Sequence, residues 1–330
     1  MNLHSVTTDL VNPLGHDAAV RLHLLHSAMR LRSLFRRALN LNVTTIWSSL
    51  WDQLHSQGTP TKHIKIDDEE CHSDKNYTST FKQHTTIVSI LKMLFLLLSA
   101  ILLLVVIIAY TVYKPPTALV RFFQWYNPDV LFHVPLPASS KTIALSFDDA
   151  PSTHTARILD LLQEHNFKAT FFIIGSQTAR YPQLLRRIVE EGHELGNHAW
   201  NDEPSFQLPL SELERQIGGV EAILPVNRNG AKYFRPGSGF FNQGMVELMG
   251  RLGYRMVLGS IYPHDPQIHH PRMNAKHVLS MLKPGGIVIM HDRRDYSAEQ
   301  VELVLKGLRE KGWQGMSVGG LLEFASGKAS

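Results

Sequence analysis

The sequence predicts an α/β fold for residues 142 onward, in which a parallel sheet is covered by helices. Short apolar runs that fit buried strands alternate with longer segments of helical periodicity, and this alternation is typical of βα units. Ionisable residues follow several of the apolar runs, where parallel strands end and where such folds collect their functional groups. The pattern fits a doubly wound sheet and a closed barrel equally well.

Strands and helices are predicted in alternation between residues 142 and 311. The predicted strands are Thr142–Phe147, Ala169–Ile174, Arg255–Gly259 and Gly286–Met290. The predicted helices are Ala156–His165, Tyr181–Glu191, Ser211–Leu224, Gln243–Leu252 and Ser297–Lys311. Two of these helices begin with the spacing of a capping box, Ser211 with Glu214 and Ser297 with Gln300, which would satisfy free amides of the first turn.

The composition excludes several classes of protein. Hydrophobic residues make up 44% and charged residues 19% of the 330 residues, which excludes a wholly disordered or collagen-like chain. The single cysteine, Cys71, excludes an intramolecular disulfide framework and a metal centre with several cysteine ligands. Residues 115–330 carry 22 Lys and Arg against 21 Asp and Glu, so we predict no nucleic-acid partner.

Met93–Tyr113 is the most apolar segment of the chain. It contains no charged residue, and at about 1.5 Å per residue a helix of this length spans roughly the 30 Å of a bilayer core. The segment lies too far from the N-terminus for a cleaved signal peptide. We therefore predict a transmembrane helix at residues 93–113, through which the protein contacts a membrane.

Basic residues on the two sides of this helix predict its orientation. Lys75, Lys82 and Lys92 precede the helix, whereas Lys114 and Arg121 follow it. Because the more basic flank tends to stay on the cytoplasmic side, we predict a single-pass membrane protein whose C-terminal domain is lumenal or extracellular.

The other domain boundaries are predicted from changes in composition. We expect residues 1–92 to be an accessory, mostly disordered region. Within it, residues 18–40 form either a membrane-surface or targeting segment or a short amphipathic helix in a mobile tail. We expect residues 114–139 to be a linker, residues 140–325 to be the α/β domain and residues 326–330 to be a tail.

Five segments of the α/β domain end in ionisable side chains. They are Asp148 with Asp149, His198 with Asp202, Arg235, His264 with Asp265, and His291 with Asp292. Taken singly, each has an ordinary explanation, since an Asp after a strand is common in turns and an Arg or His often makes a structural hydrogen bond. His198 and Asp202 have the spacing of two metal ligands or of a helical surface pair. Their repetition at strand ends favours a functional site.

The order of these residues resembles the motif order of polysaccharide deacetylases, the NodB homology domain of carbohydrate esterase family four. The matching segments are Ser-Phe-Asp-Asp-Ala at 146–150, Gly-His-Glu-Leu-Gly-Asn-His at 192–198, Arg-Pro at 235–236, Asp-Pro at 265–266 and Ile-Met-His-Asp at 289–292. The resemblance covers residues 140–325, which it identifies as a catalytic domain. It implies a distorted (β/α) barrel of about seven parallel strands.

The resemblance implies a catalytic role for four residues. Asp148 is expected to be the general base, and His291 is expected to protonate the leaving nitrogen. Arg235 is expected to hold Asp148 ionised, and Asp265 to orient His291 and raise its pKa. Amide hydrolysis needs such groups, because water must be activated and the departing amine must receive a proton.

The resemblance also implies one divalent metal ion, held by Asp149, His198 and Asp202. Asp202 stands where the family has its second histidine. Because a carboxylate oxygen is a harder ligand than an imidazole nitrogen, this change favours oxygen-preferring ions such as manganese or cobalt, with zinc as the alternative.

The implied function is that of a metal-dependent hydrolase that removes N-acetyl groups from a polysaccharide or glycoconjugate containing N-acetylglucosamine, with a chitin-like polymer as the expected partner. Two alternatives stay open. One is a catalytically impaired carbohydrate-binding protein of the same fold, because Asp202 departs from the family pattern and Gly237-Ser238 replaces its proline and aromatic residue. The other is an amidase that acts on a non-sugar substrate.

Overall fold

The computed structural model describes residues 71–327. The predicted accessory region up to residue 70, with its segment 18–40, and the last three residues of the predicted tail lie outside the described residues. The compact unit that begins at Leu91 contains all the strands of the described part of the chain.

The described residues form eight strands and ten helices. The strands are β1 (Val130–Leu131), β2 (Thr142–Ala150), β3 (Thr170–Ile173), β4 (Glu194–Asn197), β5 (Lys232–Phe234), β6 (Tyr254–Val257), β7 (Ile287–His291) and β8 (Gln314–Met316). The helices are α1 (Cys71–Tyr113), α2 (Thr117–Tyr126), α3 (Thr155–Glu164), α4 (Gly175–Thr178), α5 (Pro182–Glu190), α6 (Leu210–Glu221), α7 (Gln243–Arg251), α8 (Pro271–Ser280), α9 (Ser297–Glu310) and α10 (Val318–Ala325).

Helix α1 contains the segment that we predicted to cross a membrane. By length and composition Thr86–Tyr113 can span a bilayer, and its apolar window is not buried against the protein. The helix begins at Cys71, which corrects our expectation of a mostly disordered region for residues 71–92. No Gly or Pro interrupts the helix, and two prolines follow its end, so its polar first part continues the same helix.

Residues 114–139 are folded, which corrects our expectation of a linker. They contain α2 and β1, and β1 pairs with β6. The side chain of Gln124 joins the two elements: its Nε2 donates to the carbonyl of Val130 at 2.9 Å, and its Oε1 accepts two backbone N–H groups beyond β1. A strand of two residues has no periodicity, so the sequence pattern could not reveal it.

All strand pairings in the sheet are parallel. The strand order is β1-β6-β5-β4-β3-β2-β7, and β8 lies beside β2. After β6 the chain reaches Ile261, which forms a parallel bridge to Val288 of β7 and so joins the two sides of the curved sheet. These features confirm the predicted α/β fold with a distorted barrel of about seven parallel strands.

The main core lies between the sheet and the helices that cover it. β2 is buried along its whole length, as expected of a central strand in a parallel sheet with both faces covered. Phe147 and Phe171 stack with their ring centroids 5.1 Å apart, and Ile158 and Leu162 of α3 join the same cluster. Full burial of one such side chain stabilises the fold by roughly 1.5–3 kcal/mol. This packing fixes the carboxyl end of β2, where two of the predicted site residues lie.

Strand β4 was not predicted as a strand because its sequence is polar. Its first residue, Glu194, accepts hydrogen bonds from the Thr170 hydroxyl at 3.0 Å and from the Gly319 backbone N–H at 2.9 Å. Its last residue, Asn197, donates to the carbonyl of Ile217 at 2.9 Å. Buried polar groups need such partners, and partners that are distant in sequence leave no local pattern.

Neither predicted capping box forms. Helix α6 begins after Pro209, and Ser211 lies inside its first turn. Helix α9 begins after Tyr296, and the hydroxyl of Ser297 donates to the carbonyl of His291 at 2.6 Å. The serine that we expected to cap α9 therefore ties this helix to the end of β7.

Candidate active site

The carboxyl ends of the strands bring the predicted site residues to one edge of the sheet. Asp148 and Asp149 lie near the end of β2, and His291, the last residue of β7, is in register with Asp148. His198 and Arg235 directly follow β4 and β5. The buried strands therefore fix the backbone positions of these five residues.

Asp148 is paired with a buried arginine. Arg235 Nη1 donates to Asp148 Oδ1 at 2.6 Å and to the Ser146 hydroxyl at 2.8 Å, and its Nε donates to the carbonyl of Val257 at 3.1 Å. The guanidinium also lies 4.0 Å from the ring centroid of Phe172. Burial disfavours the charged carboxylate, but Arg235 together with His198 and His291 outweighs burial and holds the pKa of Asp148 below its ordinary value. Asp148 is therefore ionised at neutral pH.

His291 is paired with a buried aspartate. Its Nδ1 lies 2.8 Å from Oδ1 of Asp265, whose Oδ2 accepts the backbone N–H of His291 at 3.0 Å and the side-chain amide of Gln300 at 3.2 Å. Burial alone would lower the pKa of His291, but the Asp265 carboxylate outweighs it and raises the pKa to about 9. The imidazole is therefore protonated at neutral pH, and its Nε2–H is the group free to donate a proton.

We call Asp148, Arg235, His291 and Asp265 the Asp148 cluster. Each of its two pairs joins one acidic and one basic side chain, and each pair keeps one potential proton-transfer group in a defined state. A carboxylate ready to accept a proton thus lies on the strand next to an imidazolium ready to donate one. This arrangement meets the proton requirements of amide hydrolysis.

Four residues at or beside the site have left-handed backbone conformations. They are Asp149, Ala199, Ser238 and His264, with φ between 61° and 65°. Residues without the freedom of glycine adopt this region at a cost of order 1–3 kcal/mol, and such strain concentrates at functional sites. Ala199, Ser238 and His264 each lie within three residues of a predicted site residue.

Asp149 and His198 form a second pair at the edge of the sheet. His198 Nε2 lies 3.7 Å from Asp149 Oδ1, and both side chains are buried. His198 Nδ1 lies 2.7 Å from the carbonyl oxygen of Arg235, which can only accept, so Nδ1 carries the proton. The lone pair of Nε2 in the neutral ring therefore faces the Asp149 carboxylate.

Among the described residues, the ion-pair partner of Asp202 is Arg293, not His198. Its carboxylate is paired with the Nη2 group of Arg293, and Nε of the same guanidinium lies 3.4 Å from Asp149 Oδ2. We call Asp149, His198, Asp202 and Arg293 the Asp149 cluster. The predicted triad is thus divided, with Arg293 lying between two of the carboxylates predicted to bind one ion.

The Asp149 cluster fits a divalent ion at two of the three predicted ligands. A neutral imidazole nitrogen and a carboxylate oxygen that face each other are common metal ligands. Within residues 71–327, however, no group of three His, Cys, Asp and Glu side chains is arranged to hold a metal. The Asp202 carboxylate is paired with Arg293 and so is not available as the third ligand.

Arg293 and the structural role of Asp292 were not predicted from the sequence. The Asp292 carboxylate is buried and accepts hydrogen bonds from the hydroxyls of Ser152, at 2.9 Å, and Thr155. Burial raises the pKa of Asp292 to about 6. Asp292 thus holds the turn after β7 against the start of α3, and Arg293 is the next residue. The only sign of Arg293 in the sequence was its place two residues after His291.

Two features of the surrounding surface can receive a substrate. A cavity of about 470 Å³ lies beside the Asp149 cluster and is lined in part by Asp202, Arg293 and Tyr181. Phe206 and Phe240 form an exposed edge-to-face pair with ring centroids 5.7 Å apart. Cavities of this size are typical of ligand sites, and aromatic faces are typical of sugar contacts.

The loops that carry the phenylalanines also carry Asp202 and Arg235. Ser205 joins them, because its hydroxyl accepts the backbone N–H of Gly237 at 2.8 Å. A Cβ at Gly237 would lie 2.1 Å from the carbonyl oxygen of Glu203, so this position requires glycine. The aromatic side chains at this edge come from positions 206 and 240, whereas the resemblance implies an aromatic residue at position 238, where this chain has serine.

Comparison with known proteins shows similarity over the region that contains the site. The polysaccharide deacetylase family model matches residues 136–257. A peptidoglycan-N-acetylglucosamine deacetylase from Bacillus cereus is 31% identical over 195 residues, which are 57% of this chain and 92% of that protein.

Solved structures with the same fold include a carbohydrate esterase and a pseudoenzyme mutant with restored activity. Bacillus subtilis PdaA, a family 4 carbohydrate esterase, is 26% identical with a TM-score of 0.55, over 64% of this chain and 92% of that one. A mutant of a CE4 family pseudoenzyme from Bacillus anthracis, with restored enzymatic activity, is 25% identical with a TM-score of 0.53, over 58% of this chain and 71% of that one.

Proposed function

Because this chain belongs to the polysaccharide deacetylase family, whose members hydrolyse carbon–nitrogen bonds of non-peptide amides, we propose that it removes N-acetyl groups from a polymer containing N-acetylglucosamine. The single observation that carries the proposal is the Asp148 cluster, in which an ionised carboxylate and a protonated imidazole lie on neighbouring strands. A protein that only binds a sugar needs neither charge state.

In the proposed reaction, Asp148 accepts a proton from water as the water oxygen bonds to the acetyl carbonyl carbon. His291 donates the proton on Nε2 to the amide nitrogen as the carbon–nitrogen bond breaks, which yields acetate and a free amine. Arg235 keeps Asp148 ionised and fixed in position, and Asp265 does the same for the protonated state of His291. General acid and base groups of this kind contribute roughly 10²–10⁴-fold each.

We propose that Asp149 and His198 hold a divalent ion, with Asp202 as a third ligand when its carboxylate is free. A bound ion would polarise the acetyl carbonyl and lower the pKa of the attacking water. The hydrogen bond from Nδ1 of His198 to the Arg235 carbonyl supports this assignment because it fixes the ring orientation and leaves Nε2 as the nitrogen that faces Asp149. Manganese or cobalt suits the two carboxylates, and zinc is the alternative.

The proposed substrate is a chitin-like or peptidoglycan-like glycan. The related protein from Bacillus cereus is named for N-acetylglucosamine units of peptidoglycan, which supports this class of polymer. The exposed Phe206 and Phe240 rings give a flat apolar surface on the loops that carry Asp202 and Arg235, and sugar rings stack on such surfaces.

We propose that the protein is anchored by a transmembrane helix at residues 93–113, with the catalytic domain that follows it on the lumenal or extracellular side. The apolar and unburied surface of α1 supports this proposal. At the end of α1, the carbonyl of Tyr113 accepts hydrogen bonds from Nε2 of His264 at 2.9 Å and of His277 at 3.1 Å. These contacts fix the end of the helix on the catalytic domain.

A second candidate function is carbohydrate binding without catalysis. The pairing of Asp202 with Arg293 favours it, because this ion pair withholds the third predicted ligand. The similarity to a CE4 family pseudoenzyme whose mutant has restored enzymatic activity supports the loss of catalysis in this candidate.

Acetate release from chitin oligomers and from peptidoglycan fragments separates the two functions. The full chain is assayed with Mn²⁺, Co²⁺ and Zn²⁺ in turn, beside Asp148→Asn as the matched variant. Acetate release by the native chain that Asp148→Asn abolishes supports the deacetylase. Binding of the oligomers without acetate release under any of the three ions contradicts it.

A further inference from the structure

Arg293 and His198 face different oxygens of the Asp149 carboxylate. One oxygen of the Asp149 carboxylate faces His198 at 3.7 Å, and the other faces Nε of Arg293 at 3.4 Å. The same guanidinium is paired with Asp202. The two carboxylates predicted to bind a divalent ion are therefore already neutralised in part by a cation of the protein itself.

The position of Arg293 is determined by buried contacts on both sides of it in sequence. The preceding residue, Asp292, is fully buried and bound to the hydroxyls of Ser152 and Thr155. The following residue, Arg294, donates its backbone N–H to the hydroxyl of Ser297 at 3.0 Å. Only about a third of the Arg293 side chain is exposed. The backbone of Arg293 is thus fixed by the fold of the turn after β7, and the side chain extends from it to the two carboxylates.

A divalent ion bound to Asp149 would lie close to the Arg293 guanidinium, and the two positive charges would repel each other. An Asp202 oxygen that contacts both Arg293 and the divalent ion would interact more weakly with one of them. Both effects reduce the affinity for the ion while Arg293 remains in place, and both disappear when the guanidinium is removed.

We propose that Arg293 competes with the divalent ion for Asp149 and Asp202, and thereby sets the affinity and the third ligand of the ion site. The inference rests on the proposed ion site of the deacetylase. Arg293 is a positioning residue, since it acts through the two carboxylates. When the ion binds, the guanidinium gives up Asp202, which then becomes available as a ligand.

The test measures ion affinity directly. The full chain is purified in detergent, stripped with a chelator, and titrated with Mn²⁺ and Zn²⁺ by calorimetry. Replacement of a residue next to a metal ligand changes affinity by about 10- to 100-fold, so Arg293→Gln should bind Mn²⁺ about 10- to 100-fold more tightly than the native chain. Arg293→Lys keeps the charge but loses the planar fork, so it should gain less affinity than Arg293→Gln.

Two further variants show whether the effect is local. Arg180→Gln removes a guanidinium that lines the same cavity, and it should leave the affinity unchanged. Adding Asp202→Asn to Arg293→Gln should remove most of the gain, because the released carboxylate is then absent. Circular dichroism checks that each variant is folded.

Equal affinity of the native chain and Arg293→Gln would overturn the inference, and so would an equal gain in Arg180→Gln. Failure of the proposed function is seen in a different measurement. The ion-loaded native chain would then release no acetate from any oligomer. Since affinity and acetate release are measured separately, one result does not decide the other.

Discussion

The Asp148 cluster and the Asp149 cluster differ in how their carboxylates are neutralised. In the Asp148 cluster, the Asp148 and Arg235 side chains are 7% and 2% exposed and bind each other directly. In the Asp149 cluster, the Asp202 and Arg293 side chains are 44% and 32% exposed. The first pairing is fixed by the packed interior, whereas the second lies at the solvent boundary and can exchange partners.

Burial therefore determines which charge pairs persist and which can be replaced by water or by another ion. A buried guanidinium has no water to replace its carboxylate, so breaking the Asp148–Arg235 pair is strongly unfavourable. The exposed Asp202–Arg293 pair is solvated and contributes little to stability. A site that must hold proton-transfer groups constantly but exchange an ion needs both kinds of pair.

The largest effect is expected from the proton donor of the Asp148 cluster. His291→Ala should lower kcat by roughly 10²–10⁴-fold, because the leaving nitrogen then lacks its proton source. The measurement is the rate of acetate release at saturating oligomer. His269→Ala, which changes an exposed histidine outside both clusters, is the control. A rate equal to that of the native chain would remove His291 from the mechanism.

The second prediction compares the stability of the two pairs. Asp148→Asn leaves Arg235 buried without a counter-charge, and the free energy of unfolding should fall by about 3–5 kcal/mol. Asp202→Asn breaks the exposed pair with Arg293 and should change it by less than about 1 kcal/mol. Urea denaturation followed by circular dichroism measures both. Equal losses would show that the two clusters do not differ in the way described.

The third prediction concerns the pH dependence of the Asp148 cluster. Because Asp265 raises the pKa of His291 to about 9, acetate release should persist through neutral pH and fall as the pH rises through about 9. Asp265→Asn removes the charge that raises the pKa, so the fall should move towards the ordinary histidine value of 6.5. The readout is the pH profile of kcat/KM, and an unmoved alkaline limb would exclude Asp265 from this role.

The smallest effect is expected at the aromatic surface beside the Asp149 cluster. Phe240→Ala should raise KM for the oligomer by about 3- to 10-fold with little change in kcat, because stacking contributes to binding alone. Phe324→Ala, which changes a partly exposed phenylalanine of α10, should leave KM unchanged. An equal KM for Phe240→Ala and the native chain would place the sugar elsewhere.

The parts of the fold that the sequence predicted are those with local periodicity. Helices α3 and α9 have apolar residues at helical spacing, and their predicted and observed bounds differ by one residue. Strand β2 was predicted from its apolar run and extends three residues further, to Ala150. Strands β1 and β4 could not be predicted in this way. The first has two residues, and the second is polar and depends on hydrogen bonds to partners far along the chain.

The candidate site shows the same division. Asp148 and His291 follow apolar strand patterns directly, so their convergence was predictable from the topology of a parallel sheet. The partner of Asp202 was not predictable, because Arg293 is 91 residues away and both lie in loops. The spacing of His198 and Asp202 left open two metal ligands or a surface pair, and in the structure the Asp202 carboxylate is paired with the Arg293 guanidinium.

The central claim is that the ionised Asp148 and the protonated His291 act on an amide beside an ion held at Asp149 and His198. The most direct measurement is acetate release from a chitin oligomer by the full chain before stripping, after stripping with a chelator, and after addition of Mn²⁺ or Zn²⁺. The account predicts loss of activity on stripping and recovery with Mn²⁺ at least as complete as with Zn²⁺. Full activity in the stripped protein would contradict it.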